Sequence, residues 1–148
     1  MPIQWQALQK KVAIVMRNGW QPEKGAAGED LAKMVAASRL ALPEDYLSFL
    51  RVSNGGQGPL PVEPFWLVLD SADTVIDTLA DGTFTQFFPS FLVIGSNGAG
   101  EGVAFDFRSG GDAGVVCFDM TNADLAESIR PLAASFTGLL ALAGVTGA

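Results

Sequence analysis

Four carboxylates in the second half of the chain, Glu101, Asp106, Asp112 and Asp119, are the residues best placed for chemistry. Two carboxylates can divide general-acid and general-base work between them, and several can gather a hard cation through oxygen ligands. No Asp-x-Asp-x-Asp-Gly run accompanies them. Their simplest role is solvated charge on an exposed sheet face; the next is contact charge for a partner. The other groups that such chemistry needs are missing. The chain has no histidine and a single cysteine, Cys117. That removes the commonest general base, the commonest metal ligand and every Ser-His or Cys-His nucleophile. Cys117 stands between Val116 and Phe118, and apolar surroundings raise a thiol's pKa and leave it inert. Ser90 and Ser135 lack an activating histidine and the glycines of a nucleophile elbow. No catalytic residue, metal or cofactor is therefore expected.

The richest glycine segment, Gly95 to Gly102, fails as a phosphate cradle. A P-loop needs Lys-Ser/Thr where Glu101-Gly102 stand, and a carboxylate there repels phosphate. The segment also leads into a strand, so it offers no helix N-terminus to an anion. A loop between strands that needs positive φ explains it. Asn54-Gly55-Gly56 is likewise explained by a helix end and a turn.

These residues must be positioned by the elements around them. Trp5 to Arg17 has helical apolar spacing and closes at Asn18-Gly19. Trp20-Gln21-Pro22 reads as a loop. A second helix is expected over 29–40, with Leu31, Met34 and Val35 inward. A third starts near Pro43, where Glu44-Asp45 complement the helix dipole. Phe65 to Leu69 and Phe91 to Ile94 have the look of buried strands. Between them Ser71 caps a helix whose inner face is Ala72, Val75, Ile76 and Leu79. Val103, Phe105 and Phe107 alternate with Ala104, Asp106 and Arg108, as in a half-exposed strand. A hairpin loop leads to the strand Val115 to Phe118, and a last helix starts at Pro131. Helices, then mostly antiparallel strands, then a helix argue an α+β fold: a single domain over 1–148, with a mainly antiparallel or mixed sheet flanked by helices.

Length and charge narrow the function. A chain of 148 residues suits one core. No apolar stretch reaches the ~20 residues of a membrane helix, and the N-terminus lacks a signal-peptide core, so a cytoplasmic location is expected. One cysteine agrees with a reducing compartment. The net charge of −7 is uneven: residues 1–51 carry seven basic residues against five acids, and residues 52–148 only Arg108 and Arg130 against eleven. An acidic surface disfavours direct nucleic-acid binding and steers basic partners at long range.

At Leu42-Pro43-Glu44-Asp45-Tyr46-Leu47-Ser48-Phe49-Leu50, followed by Asn54-Gly55-Gly56, the chain resembles the SUKH superfamily. Phe91 to Gly100 resembles its strand and small-residue loop. Val103 to Phe107 and Gly114 to Asp119 resemble its paired strands, and Ala134-Ser135-Phe136 with Leu139-Leu140 its closing helix. The resemblance spans about residues 29–143. The chain departs from the pattern in Ala-Ala-Ser before Leu-Pro, where the family often has a Glu, and in the plainer Cys117-Phe118. The resemblance implies an α+β fold without shared catalytic residues. It also implies the role of many bacterial members: immunity proteins that bind and block a toxin domain, often a nuclease or deaminase. A cognate toxin domain is thus the expected partner, with Glu101, Asp106, Asp112 and Asp119 as contact charges and aromatic anchors between them. A regulatory scaffold like the fungal relatives is the alternative. A hydrolase working with carboxylates alone is the third reading.

Overall fold

The apolar segments of the second half pair in chain order, each strand antiparallel to the last, as short connections dictate. The computed structural model describes residues 19–82, 86, 89–109, 113–121 and 125–145. Among these, seven strands form one sheet in the order β1-β2-β3-β4-β5-β6-β7. They are β1 (Gln21–Pro22), β2 (Gly56–Pro59), β3 (Trp66–Leu69), β4 (Phe91–Ser96), β5 (Glu101–Asp106), β6 (Gly114–Asp119) and β7 (Arg130–Ala133). The helices are α1 (Gly28–Ser38), α2 (Glu44–Val52), α3 (Ala72–Asp81), α4 (Leu125–Ser128) and α5 (Phe136–Leu142). The α+β class and the antiparallel sheet flanked by helices are as expected. The helix expected over Trp5–Arg17 lies outside the described residues, as does Asp112.

The main core fills the space between one sheet face and the helices. Leu67 and Leu69, Leu92 and Ile94, Val103 and Phe105, and Val115 and Cys117 supply the sheet side. α1 packs on α3, and α2 on α5. Tyr46 and Phe49 of α2 meet Phe136 of α5 edge-on, with ring centroids 5.1 and 5.5 Å apart. Such edge contacts add to simple area burial. Trp20 lies over β2, where a Cβ on Gly58 would stand 2.8 Å from its ring; glycine there makes room for the indole. The buried Trp20 indole N–H has no hydrogen-bond partner among the described residues.

Two polar stitches tie distant segments together. Asp45 Oδ2 accepts from the Thr137 amide at 3.0 Å and its hydroxyl at 2.8 Å, joining the start of α2 to the start of α5. Asn54 Oδ1 accepts from the Ala72 amide at 2.8 Å, joining the end of α2 to α3. Ser71 and Ser135 cap α3 and α5 through their hydroxyls, and Gly55, at φ 97°, carries the turn after α2.

Several expectations are corrected. Trp20-Gln21-Pro22 is more than loop, since Gln21–Pro22 pairs with β2. Pro43 precedes its helix as the N-cap instead of opening it. β5 is not half-exposed: Ala104 is fully buried in a second apolar cluster with Phe91, Val116 and Phe118 on the opposite face, and Phe107 lies beyond the strand. The last helix starts at Phe136. Pro131 sits instead in β7, against Val116; β7 is an edge strand, where a missing N–H costs no ladder bond.

Candidate functional site

The meander brings one set of sequence-nominated residues to one end of the sheet. The β2–β3 hairpin tip, the β4–β5 turn, the end of β6 and the start of β7 all lie there, as the strand registers require. Glu101 stands directly opposite Asp119. Like charges in that position repel, and Arg130 of β7 offsets this. Its guanidinium bonds the Glu101 carboxylate, reaches Glu63 of the hairpin tip at 3.0 Å and approaches the Cys117 sulfur at 3.6 Å. Asp119 takes the Thr121 amide and hydroxyl at 2.9 and 2.7 Å, which holds its carboxyl below the usual range. Asn97 Oδ1 shapes the β4–β5 turn by accepting from the Ala99 and Glu101 amides, with Gly98 and Gly100 at positive φ. The glycine segment is therefore a turn, as expected.

The same sheet end carries the large apolar side chains that remain open to solvent among the described residues. Val62, Phe65 and Met120 are 42%, 60% and 51% exposed. Phe65 has φ 69°, a conformation that bulky residues rarely adopt. Its backbone is fixed there by the bond from its amide to Val62 and by the Leu60 amide on its carbonyl. Beside the tip is a shallow groove of about 310 Å³, lined by Val62, Glu63, Cys117, Arg130, Pro131 and Leu132. Apolar groups rimmed by carboxylates are the ingredients of a protein contact surface. Sequence reasoning named Glu101 and Asp119 but missed Phe65, which it placed inside a buried strand. The Pro61 and Pro64 pair around Val62-Glu63 was the available signal for a hairpin tip.

Asp106 lies at the far end of β5. Arg108 grips it from Nε at 3.0 Å and from its terminal nitrogen at 2.8 Å, and this hydrogen bonding lowers its pKa. The same guanidinium covers the Phe91 ring at 5.0 Å. Asp106 is thus not brought together with Glu101 and Asp119.

Burial raises the Cys117 thiol against the pull of Arg130, and burial drives the Tyr46 hydroxyl far above its usual range. Among the described residues, no three Asp, Glu or Cys side chains stand close enough to share a metal ion. Asp70, after β3, has its carboxyl raised by burial and lines a groove of about 460 Å³ at the base of the β2–β3 hairpin, away from its tip. No helix among the described residues is long and apolar enough to cross a membrane.

The model of the SMI1 / KNR4 family (SUKH-1) matches residues 25–142. No curated protein matches the chain.

Proposed function

The chain belongs to the SMI1 / KNR4 family (SUKH-1), and from that premise we propose that it is a non-catalytic immunity protein. It binds a toxin domain of nuclease or deaminase type in the cytoplasm of the producing cell and covers its functional face. The single observation that carries this reading is the convergence of Val62, Phe65 and Met120, all solvent-exposed, with Glu63, Glu101 and Asp119 at one end of the sheet. Phe65 is the central anchor, since exposed aromatics dominate contact energies. The carboxylates supply negative potential to a basic, nucleic-acid-binding toxin face, which speeds encounter and selects the partner. Asp106, at the far end of β5, adds contact charge, and Asp112 is proposed to do the same. The net charge of −7 acts in the same direction at long range.

The test mixes the purified protein with the toxin domain encoded beside it. Toxin activity falls to background at a one-to-one ratio, and Phe65→Gly weakens the complex at least tenfold. That variant also relieves the positive φ, so its stability rises by about 0.5–1 kcal/mol and loss of folding cannot explain the weaker complex. Unimpaired toxin activity at saturating protein overturns the reading.

A further inference from the structure

The groove at the base of the β2–β3 hairpin has a chemistry that the contact surface does not use. Its walls are the Glu23-Lys24 segment, the end of α2, β2, and the β3–α3 junction; Asn54, Gln57, Asp70 and Thr74 line it. The walls are fixed. The Glu23 amide donates to Ser53 Oγ at 2.9 Å, and the Asn54 amide donates to the Lys24 carbonyl at 3.0 Å. Most polar groups in the lining are already committed. Asn54 Oδ1 holds the Ala72 amide, Ser71 Oγ holds the Thr74 amide, and Gln57 Oε1 takes the Trp66 indole at 3.2 Å. The first-turn amides of α3 taken by Asn54 and Ser71 are thus not offered to an anion.

Three charged groups of the lining are left over: Glu23 and Lys24, which are exposed, and Asp70, which is half-buried. The Asp70 amide bonds the Ile94 carbonyl, but no described residue donates a hydrogen bond or ion pair to its carboxylate. Lys24 lines the same groove yet forms no ion pair with it. A carboxylate held in a preformed cavity without a cation is destabilised by its own desolvation. Beyond the groove, Asp73, Asp77 and Asp81 lie exposed at four-residue spacing along α3, with no basic residue in its last turn. Their summed charge extends the negative potential outward from Asp70, and their mutual repulsion is a cost to the helix.

We propose that this groove receives an arginine side chain of a protein partner, with Asp70 as the carboxylate that pairs with its guanidinium. A guanidinium fits better than an ammonium because its planar fork engages a carboxylate with two parallel hydrogen bonds. The Asp73-Asp77-Asp81 stripe guides the approach. The inference does not depend on the identity of the toxin or on the surface at the hairpin tip.

The test is a backbone-amide NMR titration of the full chain with N-acetyl-arginine amide, and with N-acetyl-citrulline amide as the neutral isostere. Expected is a saturable shift of the Asn54, Gln57, Asp70 and Ser71 amides with the arginine probe alone. Asp70→Asn weakens that binding about tenfold while keeping the wild-type spectrum elsewhere. Lys24→Met, which removes the competing cation, strengthens it about twofold. Equal shifts from both probes, or unchanged binding to the Asp70→Asn variant, overturn the proposal. Tighter binding of spermidine than of the arginine probe also overturns it, because a free polyamine would then be the ligand. Since the probe is not the toxin, failure here leaves toxin neutralisation untouched, and the reverse holds too.

Discussion

Removing the Asp45 carboxylate cuts the stitch between α2 and α5, and its cost follows from the bonds it makes. Asp45 Oδ1 accepts from the Tyr46 amide at 2.9 Å, and Oδ2 accepts from the Thr137 amide and hydroxyl at 3.0 and 2.8 Å. A hydrogen bond to a charged group contributes about 1.5–3 kcal/mol net, and a lost helix cap costs about 1 kcal/mol. The two bonds to Thr137 share one oxygen, so they do not add in full. Asp45→Ala is expected to cost about 2–3 kcal/mol, and Asp45→Asn about 1 kcal/mol. With an unfolding entropy of ~2.1 cal/mol/K per residue over 148 residues, a loss of ~2.5 kcal/mol lowers Tm by about 8 °C. The loss is felt at Phe136, whose ring is seated by the first turn of α5 against Tyr46 and Phe49. Urea denaturation read by fluorescence gives the free energy, and scanning calorimetry gives Tm. A double-mutant cycle with Thr137→Val isolates the hydroxyl bond, with a coupling of about 1 kcal/mol expected. A cost below about 0.5 kcal/mol for Asp45→Ala, or strict additivity with Thr137→Val, refutes the reasoning.

Two further outcomes are expected. Gly102→Ala places a Cβ 2.4 Å from the Phe118 ring, and that ring is only 2% exposed, so the strand or the ring must move at a cost of about 1–3 kcal/mol; urea denaturation within 0.5 kcal/mol of wild type would contradict this. For Asp70, burial raises the folded-state pKa above the unfolded value of 3.8, so the folded chain holds this proton to higher pH than the unfolded one. Stability therefore falls as pH rises between those two pKa values and is level above them. Asp70→Asn removes that slope and is the more stable protein at neutral pH, by on the order of 0.5 kcal/mol once solvent screening is allowed for; equal stability of the two proteins from pH 4 to 8 would sink the argument.

The parts of the fold legible in the sequence are those where one local rule acts alone. α3 was readable because Ser71 caps it and Ala72, Val75, Ile76 and Leu79 repeat at helical spacing; the structure keeps all of these. Pro131 misled because proline suits both a helix start and an edge strand, and only pairing with β6 decides between them. The strand β2, Gly-Gln-Gly-Pro, carries no strand signal at all. It exists because its glycines make room for Trp20 and its backbone pairs with both β1 and β3. Ala104 was misjudged for a related reason. Alternation predicts one wet face, but β5 is central and the second apolar cluster covers its other side. Of the site, the charges Glu101 and Asp119 were legible by type. Their convergence with Phe65 was not, because it depends on three separate turns meeting at one sheet end.

The distribution of satisfied and unsatisfied groups separates framework from function. Asp45, Asn54 and Ser135 are polar residues in the segments that resemble the family, and each is consumed by a hydrogen bond that closes a helix end, as is Ser71 between those segments. They account for the motif without any ligand. What that framework leaves over is physically costly: a bulky Phe65 exposed at positive φ, a half-buried Asp70 without a cation, and three aspartates in line on α3. Each would be more stable as glycine, asparagine or a residue of mixed charge. Costs of this kind persist in a marginally stable domain when an external partner offsets them. Phe65 and Asp70 sit at opposite ends of the β2–β3 hairpin, so one protein can hold an apolar contact at the hairpin tip and a cationic group at its base.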